Sequence, residues 1–205
     1  MHLRSPLAAG VLALAASCAT TAGDAKSRQA VGPWLAPSPN LSQQIQDQVT
    51  RLPWTHGIER VETIHWLASV GEPAYENLLD LVSDPRSDVA GAALAALGAT
   101  RDSRLVEPLR RIPWPVESED ALGLERARAL LRLGDWSMIP RLVDGLEHES
   151  FMVRTLCLQA LREATREDFD YHPGEKELAR RFGVVRWREW WNARSSDPIL
   201  TGGGG

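Results

Sequence analysis

From Leu41 to Thr165 apolar residues recur at steps of three and four and nowhere alternate singly with polar ones. That period predicts amphipathic helices of two to four turns and an all-α chain. The helices repeat. LLDLVSDPRSDVAGAALAALG, starting at Leu78, aligns without a gap on LVDGLEHESFMVRTLCLQALR, starting at Leu142, at an offset of 64. Between them lies a third copy, with Val106, Leu109 and Ile112 in its first helix and Glu125, Arg126, Ala129, Leu130 and Leu133 in its second. The offsets from Leu78 to Leu109 (31) and from Leu94 to Leu130 (36) differ by a five-residue insertion around Pro113 to Asp120. An earlier, fourth copy carries Arg51-Leu52-Pro53-Trp54 and Glu59-Arg60, which match Arg111-Ile112-Pro113-Trp114 and Glu125-Arg126.

Stacking the second helices gives columns. Ile64, Leu94, Leu130 and Leu158 form one, and Leu67, Leu97, Leu133 and Leu161 the next; three residues apart, both point to one buried side. A third column, Thr63, Ala93, Ala129 and Cys157, is small throughout, which lets neighbouring helices approach closely. A pair of helices of this length cannot bury its own apolar face. The expected architecture is therefore a short α-solenoid of about four antiparallel helix pairs spanning 41–165.

The pattern resembles the HEAT repeats, and more closely their bacterial HEAT-like variant, over Leu41 to Thr165. The stretches that carry the resemblance are Asp84-Pro85-Arg86-Ser87-Asp88-Val89, Val153-Arg154 and Ala96-Leu97-Gly98. The resemblance implies that an Asp in the turn and an Arg early in the second helix bridge successive repeats. Arg60, Arg126 and Arg154 occupy that Arg position, while Ala90 stands there in the copy that starts at Leu78 and His148 replaces the turn Asp in the copy that starts at Leu142. Such a ladder would be incomplete. Residues 166–194 hold an acidic-aromatic loop and a helix with Val184, Trp187, Trp190 and Trp191. They look like the end of exported bacterial HEAT-like proteins, and the helix is expected to cap the last repeat.

The flanks differ from the repeats. Arg4 and the apolar run Leu7 to Ala16 make a signal peptide of residues 1–17, too short to span a bilayer. Its end, Ala15-Ala16-Ser17-Cys18, resembles a bacterial lipoprotein signal, although Ala15 stands where Leu is usual. The resemblance implies a lipid on Cys18; ordinary secretion, leaving a soluble or periplasmic protein, is the alternative. Several acyl chains give stable anchoring where one is marginal. Ala19 after the cysteine resembles the outer-membrane sorting pattern, on the periplasmic face. Residues 18–40 are rich in Ala, Ser, Thr, Gly and Pro and read as a flexible tether, with Trp34 placed to dock on the domain; 195–205 read as a disordered tail.

Composition narrows the chemistry. Of 205 residues, 23 are Lys or Arg and 27 Asp or Glu, a net charge of −4, which argues against a nucleic-acid partner. Lys26 and Lys176 are the only lysines, so arginine carries nearly all the positive charge. Asp168, Asp170, His172 and Glu175 could ligate a cation, but no second histidine completes a zinc set, and turn formation with capping of the following helix is the plainer role. Cys157 shares its column with Thr63 and Ala93 and reads as core; His65 and His148 read as solvated, and the Trp cluster as terminal core. No nucleophile elbow or phosphate loop is present in the sequence, so no catalytic residue, metal or cofactor is assigned.

Two function classes remain. One is a non-catalytic scaffold that binds a protein or peptide on its concave face. The other is an enzyme or enzyme accessory with a small-molecule ligand, because HEAT-like repeats also occur in bilin lyases and in DNA alkylpurine glycosylases. For the scaffold, stepping off the buried columns gives the contact residues Glu62, His65, Trp66, Arg128, Leu131, Arg132, Leu156, Gln159 and Arg162, with Ala92 and Ala95 between them. The arginines favour a partner with acidic groups.

Overall fold

A computed structural model describes residues 34–113 and 120–197. The signal peptide, Cys18, the tether as far as residue 33, most of the five-residue insertion and the tail beyond 197 lie outside the described residues. Among the described residues every regular element is helical, and none of the helices is long and apolar enough to cross a membrane.

The helices are α1 (Pro39–Arg51), α2 (Gly57–Val70), α3 (Tyr75–Leu81), α4 (Ser87–Thr100), α5 (Val106–Arg111), α6 (Asp120–Arg132), α7 (Ile139–Gly145), α8 (Phe151–Thr165) and α9 (Glu177–Asn192). α1 starts where Ser38 supplies an N-cap, its Oγ accepting from the Leu41 N–H, and Pro39 fits the first turn. The first helix of the later copies is short. Each of α3, α5 and α7 is reached through a 3-10 turn, at Glu72–Ala74, Ser103–Leu105 and Trp136–Met138.

Asp102 and Asp135 cap two of these turns, accepting from the backbone N–H of Arg104 (3.0 Å) and Ser137 (3.2 Å). Asp168 does the same for Asp170 (3.0 Å) in the loop before α9. The three aspartates stand 33 residues apart, and each also holds an arginine. Arg104 Nη2 reaches Asp102 at 2.6 Å, Arg110 grips Asp135 with two bonds of 2.8 and 2.7 Å, and Arg162 reaches Asp168 at 2.8 Å. The Arg104 guanidinium and its backbone N–H hold the Asp102 carboxyl below its ordinary value, even though burial pushes the other way.

Packing follows chain order among the long second helices: α2 on α4, α4 on α6, α6 on α8. Two apolar clusters result. Ile45, Leu67, Leu78, Leu94, Leu97 and Leu109 fill the first, and Leu142, Leu146, Leu158, Leu161, Val184 and Trp187 the second. α6 belongs to both, giving Ala129 and Leu130, with Leu133 just past its end, to one and Leu124, Ala127 and Leu131 to the other. Gly98 permits the α4–α6 contact, because a methyl group there would sit 2.9 Å from the Ala129 Cα. Cys157 lies fully buried in the second cluster, beside the leucines.

α9 packs on α7. Trp187 is fully buried, Phe169 meets it edge-on at 4.8 Å, and Trp190 and Trp191 are half-buried around them. The Tyr171 hydroxyl donates to the Leu146 carbonyl, and Arg188 ties α9 to Asp144 (3.0 Å) and Glu147 (2.6 Å). At the other end Trp34 docks as expected, edge-on to Tyr75 at 4.9 Å, with Arg104 over its indole.

Candidate functional site

The aligned arginines Arg60, Arg126 and Arg154 bond within the chain. Arg60 reaches Asp88 at 2.8 Å and so joins α2 to α4. That bond holds the Asp88 carboxyl below its ordinary value. Arg126, 1% exposed, donates to the carbonyls of Leu109, Ile112 and Pro113, which close the end of α5. Burial lowers the pKa of this guanidinium. Arg154 donates to the carbonyls of His148 (2.7 Å) and Glu149 (2.6 Å), and to Pro173 (3.0 and 2.8 Å) in the loop beyond α8. The acceptors of Arg126 named here are carbonyls at and just past the end of α5, and those of Arg154 are carbonyls of the segments flanking α8. The bridge through paired aspartates is thus carried by Arg60 and Asp88. Asp84 in the same turn instead binds Arg86 beside it, which lowers its pKa to about 2.

The residues expected on an open face divide into three groups. Glu62 and His65 on α2, and Gln159 and Arg162 on α8, are exposed. Trp66, Arg132 and Leu156 are half-buried, Trp66 against the first apolar cluster. Arg128 and Leu131, expected on the open face, are instead buried, at 7% and 3% exposure. The reason is that α6 lies between two neighbours. Leu131 faces the second apolar cluster, and Arg128 is held by Glu125 one turn earlier. Ala92 is likewise buried, beside Leu52 and Val89.

The arginines that remain accessible are already paired. Arg132 binds Glu163 through two bonds of 3.0 Å and joins α6 to α8, while Gln159 donates to the same carboxylate at 2.8 Å. Burial pushes Glu163 upward, but the hydrogen bonds from Arg132 and Gln159 outweigh it and hold the carboxyl low. Arg162 is tied to Asp168. α2, bearing Glu62 and Trp66, is separated from α8 by α4 and α6.

The acidic loop does not gather as a cation site. Asp168 serves Arg162 and the Asp170 N–H, Asp170 points to Arg186 at 3.3 Å, and the N-cap of α9 is Lys176 without a side-chain bond. Phe169 and Asp170 have φ of 50° and 53°, so the segment is a tight left-handed turn rather than a cap for α9. Sequence reasoning missed Asp102 and Asp135, and the equal spacing that joins them to Asp168. It also missed the solvent-facing apolar side chains Phe151, Met152, Leu178, Phe182 and Val185. The chain matches no protein-family model and no curated protein.

Proposed function

We propose that the chain is a non-catalytic scaffold that binds a protein or peptide: a HEAT-like solenoid of four antiparallel helix pairs, capped by α9 and held in the bacterial cell envelope by a lipid on Cys18. The observation that carries this reading is the packing of the second helices in chain order, with the close α4–α6 approach at Gly98. A stack of that kind leaves one edge of each second helix available, and extended inner surfaces are what such stacks use for binding. The working residues on that edge are Glu62, His65, Trp66, Leu156, Gln159 and Arg162. Arg132, locked to Glu163, is a brace between helices.

The anchor and the surface are tested separately. Cys18→Ala is expected to release the protein from membranes and to leave its signal uncleaved at that bond; unchanged fractionation and processing overturn the anchor. Photo-crosslinking side chains placed at Glu62 and Gln159 are expected to give discrete adducts, and the same groups at the exposed Glu76 and Glu107 of α3 and α5 are not. Equal adducts from all four positions, or none from the first two, overturn the inner-face reading.

A further inference from the structure

Before α1 begins, the chain is already held elsewhere. Trp34 lies edge-on to Tyr75 at 4.9 Å, and the Arg104 guanidinium sits 5.6 Å from the centre of its ring. One residue on, the Leu35 N–H donates to Glu72 Oε1 at 3.1 Å. These partners are themselves tied down. Tyr75 is 3% exposed and donates its hydroxyl to Asp102 at 3.1 Å. Arg104 bonds to Asp102 at 2.6 Å and to Glu72 at 3.2 Å. Glu72 and Tyr75 stand at the entry to α3, and Asp102 and Arg104 at the entry to α5. Trp34 and Leu35 therefore grip elements that follow α1 and α2, while α1 itself is thinly held. Ile45 is the only buried residue of α1, and Gln43, Gln44 and Gln46 donate to Asp47, Asn40 and Thr50 of the same helix. A helix at the end of a run of packed helices has a neighbour on one side only and is among the first elements to open.

We propose that Trp34 and Leu35 form a mechanical latch, through which tension carried by the preceding chain enters the fold at α3 and the turn before α5 and by-passes α1. The sequence places 33 residues before Trp34, and any pull they transmit meets the latch first. Residues 35–38 and α1 lie inside the loop that the Trp34–Tyr75 contact closes, so they carry no load while it holds. The grip comes from an edge-to-face aromatic pair, a cation over the indole and a hydrogen bond to a carboxylate. Each is modest, but they act on two adjacent residues and must give way together. Tyr75 is a fixed seat, because it belongs to the first apolar cluster, which also takes in residues of α4 and α6. A pull is thus spread over the middle of the molecule instead of its end. The inference concerns residues 34–104 and holds with or without a lipid on Cys18.

Single-molecule pulling on the full chain tests it, with one handle at Gln159 on α8 and the other at either Ala30, before the latch, or Thr50, after it. The first rupture is expected at a higher force from Ala30 than from Thr50. Trp34→Ala should bring the Ala30 force down to the Thr50 level and leave the Thr50 force unchanged. A residue that only stabilised the fold would lower both. Without applied force, the same substitution should speed amide exchange in α1 by at least about tenfold and leave α8 as it was. Equal forces from the two points in the parent chain, or a Trp34→Ala change that lowers both or neither, overturns the proposal. Unchanged exchange in α1 overturns the closed loop on which it depends.

Discussion

Arg126, midway along α6, and Arg154, in the first turn of α8, align in the sequence, and both spend guanidinium donors on backbone carbonyls of the segments that connect helices. Removing Arg126 strands the buried Leu109 carbonyl and takes a partner from those of Ile112 and Pro113, so Arg126→Met is expected to destabilise the fold by about 1–3 kcal/mol in urea unfolding. Arg126→Lys should recover little of this, because one ammonium cannot reach as a planar fork does. An unchanged unfolding midpoint contradicts the capping role. The column of arginines was legible in the sequence as a column; its acceptors were not, since backbone carbonyls leave no trace in residue identity. A second column became visible only with the backbone. Gly134 and Arg166 follow α6 and α8 in left-handed conformations, with φ of 103° and 67°. Glycine adopts that region freely and arginine does not. Arg166→Gly should raise stability by about 0.5 kcal/mol, and Gly134→Ala should lower it by about 1 kcal/mol or more, read as shifts in midpoint at constant m-value.

Helix order, the leucine columns and the small-residue column all came from period alone, and Leu67, Leu97, Leu133 and Leu161 are all buried. What period could not supply was the number of neighbours around each helix. α6 presents apolar residues in two directions, so Leu131 is as deeply placed as Leu130, and the edge left for solvent is narrow. Reading one buried face per helix put Arg128 on the surface. The spacing of Asp102, Asp135 and Asp168 was present in the sequence, but the role of the first two depended on 3-10 turns too short to show a period, and that of the third on the turn before α9. The α4–α6 contact gives a direct test of how closely these elements pack. Gly98→Ala forces a methyl against the Ala129 backbone, which cannot yield as a side-chain tip does. A loss of about 1–3 kcal/mol is expected in thermal or urea unfolding, and a neutral result would contradict the approach distance.

Across the chain, carboxylates paired with arginine or capped by backbone N–H groups set the response to acid. Asp84 is lowered to about 2, and Asp88, Asp102, Asp168 and Glu163 are also held low. A carboxyl with a lower pKa in the folded state binds fewer protons than its unfolded counterpart, so stability rises with pH. Its contribution is complete above the unfolded value near 4 and is lost as pH falls through the folded value. The melting temperature is therefore expected to be level from about pH 5 to 7 and to drop between about pH 4.5 and 2, and Asp84→Asn should soften the lowest part of the drop. A melting temperature unaffected by acid contradicts these pairings. The position of α6 between two apolar clusters has a further consequence, for how the molecule comes apart. Opening either half strips only one side of α6, while the other side stays covered. Its backbone amides should therefore be the last to exchange with deuterium, with rates rising outward toward α1 and α9. Loosening one half by mutation should speed exchange in α6 and leave the far terminus untouched, making this one helix the clasp that both halves share.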